Sequence, residues 1–213
     1  MKKSLICFDL DGTLIDSRGD IASAVSYALE HFGAEPLKAD DITSMVGHGL
    51  LKTVEFAVEK CGLPIDLPKA KEMTVDYYNR NPVVHTYIYD GVAEGLKTLH
   101  TKGFVIALFS NKLTELCEKV LDILEIKNYF TYIVGSGSGF KMKPDPEAIS
   151  FMLDDGNCDP CSSYMVGDSD VDMESGERGG LKLCFASYGY GKRERYSPDV
   201  TINTFDELVS FLV

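Results

Sequence analysis

The sequence predicts an α/β fold: a Rossmann-like three-layer core on a parallel sheet, with a small all-helical cap inserted after the first strand. Two observations carry this. Over most of the chain, short and nearly unbroken apolar runs alternate with amphipathic helical stretches, as in strands buried on both faces by flanking helices. Between about residues 18 and 86 no clear strand appears, and only helical stripes remain. The core is therefore expected over residues 1–17 and 87–213, and the cap over residues 18–86.

The elements follow in order. Residues 4–8 read as the first strand, ending at Asp9. Residues 104–109 read as a second ending at Ser110, residues 132–134 as a third, and residues 164–166 as a fourth ending at Gly167-Asp168. Residues 183–185 form a weaker fifth. Leu113, Leu116, Cys117, Val120, Leu121 and Leu124 follow the i, i+3, i+4, i+7 rule of a buried helix face. Residues 146–153 make another helix, with Asp145 as N-cap and Pro146 in the first helical position. Residues 204–212 close the chain as a helix. In the cap, Ile21, Val25, Leu29 and Phe32 form one stripe and Leu50, Val54, Ala57, Val58 and Cys61 a second. Met73 and Tyr77 mark a further helix before Asn81-Pro82. Linkers near residues 14–18 and 81–88 are expected to act as hinges.

Composition excludes several classes. The formal charge of −12 argues against nucleic acid, which demands clustered Lys and Arg. Lys192, Arg193 and Arg195 are the only short basic cluster, and they read as a solvated loop. The longest apolar run, residues 104–109, is far too short for a membrane span. The basic N-terminus has no signal h-region behind it, because Asp9 and Asp11 cut the apolar stretch, so a cytoplasmic protein is expected. The six cysteines are scattered. Cys158-Asp159-Pro160-Cys161 has C-x-x-C spacing, but no second ligand pair lies nearby and the segment follows a turn, so a structural reading is preferred to a zinc or thiol module.

The chemistry lies where the strands end. Open parallel sheets bind ligands at the carboxyl ends of their strands. Here those ends read Asp9-Leu10-Asp11-Gly12-Thr13, Ser110-Asn111-Lys112 and Gly167-Asp168-Ser169-Asp170-Val171-Asp172. Lys143-Pro144-Asp145-Pro146 precedes a helix, and all four segments should converge on one crevice. Asp9 is placed to act as a nucleophile, dividing one hard displacement into two easier ones. Asp11 is placed to protonate a leaving oxygen and then deprotonate water, and its acidic neighbours should help it hold that proton.

These four segments, in this order, resemble the haloacid dehalogenase superfamily of phosphohydrolases across essentially the whole chain, most closely its phosphoglycolate phosphatases. The resemblance implies a phosphatase that hydrolyses a small phosphorylated metabolite through an aspartyl-phosphate on Asp9. It implies that Ser110, the Asn111 backbone N–H and Lys143 hold the phosphoryl group, with Gly12 and Thr13 beside them. It also implies Mg2+ on Asp9, the Asp11 carbonyl and Asp168. Asp172, one helical turn beyond Asp168, is expected to orient metal-bound water, and Asp170 to face solvent. Gly47-His48-Gly49 resembles the start of a substrate-facing cap helix, so His48 and Lys52 are candidates for a substrate carboxylate. Two departures weaken phosphoglycolate in particular. Phe56 stands where the family usually has arginine, and Tyr89-Asp90-Gly91-Val92 replaces Y-P-G-V. The alternatives are a β-phosphoglucomutase-type mutase, against which Thr13 argues, and a non-enzymatic binding protein on the same scaffold. Asp11 argues against a dehalogenase. Oligomeric state is not readable from the sequence.

Overall fold

The structure is a computed structural model and describes residues 2–43, 45 and 47–213. Met1, in the expected core, and Ser44 and Val46, in the expected cap, lie outside the described residues. The chain runs β1 (Leu5–Phe8), β2 (Ile15–Asp16), α1 (Arg18–His31), α2 (Ala39–Ile42), α3 (Leu50–Cys61), α4 (Leu67–Arg80), β3 (Tyr87–Ile88), α5 (Val92–Thr101), β4 (Val105–Leu113) and α6 (Thr114–Ile123). It continues with β5 (Tyr132–Ser136), α7 (Glu147–Asp155), β6 (Tyr164–Gly167), α8 (Asp170–Arg178), β7 (Lys182–Ala186), β8 (Val200–Ile202) and α9 (Phe205–Leu212).

Six strands form one parallel sheet in the order β5-β4-β1-β6-β7-β8. Successive side chains of a strand point to opposite faces. Ile6 and Phe8 of β1 therefore pack with Val92, Leu96, Cys117, Val120, Phe205 and Leu208 of α5, α6 and α9. Leu5 and Cys7 pack on the other side with Ala148, Ile149 and Met152 of α7. Both faces are covered, which is why these strands read as continuous apolar runs. The order also sets β1 between β4 and β6, with Phe8 in register with Leu108 and Val166. The polar residues that follow those strands are thereby brought together at the centre of one sheet edge.

The helical unit has a second core of its own, built from Ile21, Val25, Leu29, Ile42, Leu50, Val54, Ala57, Ala70 and Tyr78, with Leu116 of α6 joining it from the sheet side. Among the described residues no helix is long and apolar enough to cross a membrane.

Several details depart from the expectations. The two linkers pair as a short antiparallel ribbon, Ile15 with Ile88 and Asp16 with Tyr87. Two-residue strands carry no periodic signal, so they were invisible in the sequence. Buried Asp20 at the start of α1 accepts the N–H groups of Val84 (2.9 Å), His85 (3.0 Å) and Thr86 (2.9 Å) and the Thr86 hydroxyl (2.7 Å), tying the second linker to the first helix. The strand expected to stop at Ser110 runs to Leu113, with an irregularity after Phe109. β8 was also missed. Helix α7 starts one residue late, with Pro146 at the cap, while Asp145 still accepts the Glu147 N–H at 3.1 Å. The basic cluster is tethered rather than free. Arg193 lies 5.1 Å over the Phe185 ring, and Arg195 pairs with Asp170 at 3.4 Å. Asp170, expected in solvent, also accepts the N–H groups of Glu194 and Arg195. Cys158 is buried and Cys161 exposed, with Asp159 capping the Cys161 N–H at 3.2 Å in a single 3-10 turn.

Candidate active site

Asp9 leaves β1 where the sheet ends, and its carboxylate is buried. The Lys143 ammonium, brought in by the loop before α7, donates to Asp9 Oδ1 and to Asp172 Oδ1, both at 2.6 Å. Asp172 sits one turn into α8. Its other oxygen accepts the Ser169 N–H (3.1 Å) and hydroxyl (2.6 Å), so the same carboxylate caps the helix and holds the lysine. Asp168 closes β6. Its Oδ2 accepts the N–H groups of Tyr190 (3.0 Å) and Gly191 (2.7 Å) from the loop after β7. Gly12 has φ +93°, and a Cβ there would collide with the Asp168 carboxylate, so the turn after β1 requires glycine for both reasons.

Asp9, Asp168 and Asp172 each offer a carboxylate oxygen, and these oxygens lie within 4.8 Å of one another. The charge does not balance: three buried carboxylates face one buried ammonium. Burial, reinforced by Asp172 and Asp11, pushes Asp9 up to about 7 against the opposing pull of Lys143. Burial, then Asp172 and Asp9, drives Asp168 well above the carboxylate range. Burial pulls the Lys143 ammonium down, but Asp172 and Asp9 outweigh it and hold it above its ordinary value. Buried like charges of this kind call for a cation. An all-oxygen donor set suits a hard divalent ion, so the residues present fit magnesium.

Asp11 meets a different environment from the purely acidic one expected. Its oxygens accept from the buried Lys112 ammonium at 2.9 and 3.1 Å, and Oδ1 also accepts from the Ser17 hydroxyl at 2.5 Å. Lys112, the last residue of the Ser-Asn-Lys segment, thus joins the site through Asp11, a role that the sequence does not reveal. Asn111 uses its side chain structurally. Oδ1 accepts the Lys143 N–H at 2.9 Å, and Nδ2 donates to the Gly47 carbonyl of the helical unit at 3.1 Å. Ser110 is buried, and its hydroxyl accepts the Lys112 N–H at 3.3 Å.

Asp9, Asp11, Ser110, Asn111, Lys112, Lys143 and Asp168 line a cavity of about 40 Å³, with Ile21, Leu50, Thr53 and Tyr78 on its helical side. A wider groove of about 310 Å³ adjoins it, between Thr43, Gly47 and His48 on one side and the 190–195 loop on the other. Asp9, Asp11, Ser110, Asn111, Lys143 and Asp168 therefore meet in one cavity. Gly12 and Thr13 lie just outside its wall, and the buried Thr13 hydroxyl has no partner among the described residues. His48 and Lys52 do not reach the cavity. His48 is exposed on the groove, edge-on to Phe56 at 6.2 Å, and Lys52 is exposed and paired with Glu55 at 2.6 Å. They share the Phe56 face of α3, as spacing of four predicts, but that face is not the one turned to the carboxylates. Leu50 and Thr53 occupy it instead.

Residues 6–186 match the family model described as haloacid dehalogenase-like hydrolase. The chain belongs to this family. The phosphoglycolate phosphatase of Aquifex aeolicus (strain VF5) is 37% identical over 212 residues, covering 98% of this chain and 96% of the relative. That of Psychrobacter arcticus is 32% identical over 225 residues, covering 100% and 97%. A crystal structure of a predicted phosphoglycolate phosphatase from Haemophilus somnus 129pt shares the fold, with a TM-score of 0.92, 24% identity and coverage of 100% and 99%. The chain is accordingly a phosphoric monoester hydrolase, and Asp9, Asp11, Ser110, Lys143 and Asp168 meet in one cavity.

Proposed function

We propose that this hydrolase is a magnesium-dependent phosphatase that cleaves a small phosphate monoester, 2-phosphoglycolate, through an aspartyl-phosphate on Asp9. The observation that carries the reading is the Asp9 carboxylate, buried at the end of the central strand, oriented by Lys143, with a second acid two residues on. In the first step an Asp9 oxygen bonds to phosphorus and the ester P–O bond breaks, while Asp11 gives its proton to the departing oxygen. In the second, water attacks phosphorus, Asp11 takes its proton, and Asp9 leaves as a free carboxylate with inorganic phosphate released. Lys112 and Ser17 hold Asp11 at the required place. Ser110 and Lys143 face the phosphoryl oxygens, where charge develops. Asp9 and Asp168 would hold magnesium, with Asp172 beside them, and the ion would supply charge neutralisation at the phosphoryl group. The helical unit, over residues 18–86, serves as the cap that excludes water from the cavity.

The test is a panel of small phosphate monoesters assayed with and without magnesium. Turnover of 2-phosphoglycolate that stops on chelation supports the reading. Magnesium-independent turnover, or none on any ester, contradicts it.

A stability measurement checks the cation separately. Asp9 and Asp168 have raised values in the folded state, so the metal-free fold binds more protons than the unfolded chain. Their favourable contribution is complete below the unfolded carboxylate range, about pH 4. It is lost as pH rises through the folded values, about 7 for Asp9. Magnesium should therefore raise the melting temperature more at pH 8 than at pH 5. An equal rise at both would contradict a cation at this cluster.

A further inference from the structure

The loop after β7 places one tyrosine between the acid and the metal end of the site. Tyr190 lines the cavity, and its backbone N–H donates to Asp168. Its flanking glycines let the loop press against the turns that follow β1 and β6. A Cβ on Gly189 would collide with the Gly12 carbonyl, and one on Gly191 with the Asp168 carbonyl. The ring is held as well. The guanidinium of Arg18, the first residue of α1, lies 4.9 Å from its centre and pairs with Asp16 at 2.6 Å. An arginine over an aromatic face is an attractive contact.

The Tyr190 hydroxyl lies 3.4 Å from the Ser17 hydroxyl, which donates to Asp11 Oδ1 at 2.5 Å. The direction of this chain follows from counting hydrogens. Asp11, paired with the Lys112 ammonium, is a carboxylate and accepts only. The one Ser17 hydrogen is committed to Asp11, so Tyr190 must be the donor to Ser17. The chain runs one way, from phenol to hydroxyl to carboxylate, and successive bonds of this kind strengthen one another. It also makes the two Asp11 oxygens unequal. Among the described residues, Oδ1 receives Ser17 and Lys112, whereas Oδ2 receives Lys112 alone, at 3.1 Å. Oδ2 therefore keeps a lone pair for a proton.

We propose that Tyr190 is a positioning residue for the general acid: through Ser17 it fixes Asp11 Oδ1, and so makes Oδ2 the oxygen that passes the proton to the departing alcohol. The inference rests on the phosphatase reading above and adds to it the residue that aims the acid. Tyr190 touches no reacting atom in this role. Its effect is confined to steps in which Asp11 moves a proton. An alkoxide leaving from an alkyl phosphate needs that proton. Acetate leaving from acetyl phosphate does not, because a carboxylate is already the stable form at neutral pH.

The test measures kcat/KM for 2-phosphoglycolate and for acetyl phosphate in the wild type, Tyr190→Phe, Ser17→Ala and the double variant. This parameter covers the reaction up to departure of the first product, so the later use of Asp11 as a base does not enter. Tyr190→Phe should lower kcat/KM for 2-phosphoglycolate about fivefold more than for acetyl phosphate, the scale of one neutral hydrogen bond. Ser17→Ala should bias the two substrates in the same direction, and the double variant should be no more biased than Ser17→Ala alone. Partial unfolding would lower both substrates by one factor and leave their ratio unchanged. A ratio equal to wild type in Tyr190→Phe, or biases that multiply in the double variant, overturns the positioning role while leaving the phosphatase reading intact. A wild type that turns over acetyl phosphate alone, or neither substrate, overturns the reading and the inference together.

Discussion

Asp9→Asn is expected to reduce phosphatase turnover by about 10⁴-fold or more, the scale seen when a covalent nucleophile is removed. The structure explains why the loss should be chemical rather than structural. Asn is the same shape, and Lys143 keeps its 2.6 Å contact with Asp172 after the change. The substitution also removes one of three crowded buried carboxylates, and burial together with the neighbouring carboxylates raises both Asp9 and Asp168. The variant should therefore melt at or above the wild-type temperature when metal-free. Paired measurements of kcat and melting temperature check this. Turnover within tenfold of wild type would contradict a covalent role. A large fall in melting temperature with lost activity would make Asp9 a structural residue.

Lys143→Met is expected to be the most destabilising single change at the site. The lysine is the only ammonium in contact with Asp9 and Asp172 among the described residues, and its side chain is 3% exposed. Methionine fills similar volume but leaves two buried carboxylates without their cation, a change that costs about 3–5 kcal/mol. The cost should show as a lower denaturant midpoint at pH 8. It should shrink at low pH, where the unpaired acids take up protons, and shrink again when magnesium is added. Activity should be lost under all these conditions, because the same ammonium orients Asp9. A variant as stable as wild type at pH 8 would mean that Lys143 does not carry the charge balance of the cluster.

The sheet and its active edge were legible in the sequence because one physical rule produced both. Strands covered on both faces by helices must be apolar throughout, so Asp9, Ser110 and Asp168 mark the points where burial by helices ends. Lys143 was legible through its prolines and its place before a helix. What was hidden depended on contacts between segments far apart. The two-residue ribbon of Ile15–Asp16 and Tyr87–Ile88 has no period to detect, and Asp20 gives no hint in sequence that it grips residues 84–86. Lys112 stood in a recognised segment, yet its pairing with Asp11 depends on the irregular end of β4 turning that side chain back over the cavity.

The helical unit was read less well, for a reason visible in α4. Its buried face is Ala70, Thr74 and Tyr78. Met73 and Tyr77 mark this helix in the sequence and pack at the margin of the same core, but the threonine in the stripe masks the phase of its buried face. Tyr77 in fact stacks on Tyr27 at 4.8 Å, while Tyr78 lines the cavity. A shift of one residue on a helix turns a side chain by about a quarter of the circumference. That is the difference between a residue stacked on α1 and one in the cavity wall. On α3, Leu50 and Thr53 line the cavity, while His48 lies on the adjoining groove and Lys52 pairs with Glu55.

The central claim is that phosphate passes through Asp9, and the most direct measurement is to trap it there. The enzyme would be mixed with 2-phosphoglycolate labelled in the phosphoryl group, in the presence of magnesium, and quenched in acid within the first turnover. Labelled protein that loses its label to hydroxylamine, as an acyl phosphate does, with the label mapping to the peptide carrying Asp9, is the predicted result. Turnover of the ester with no labelled protein at any quench time, or label on a residue other than Asp9, would contradict it.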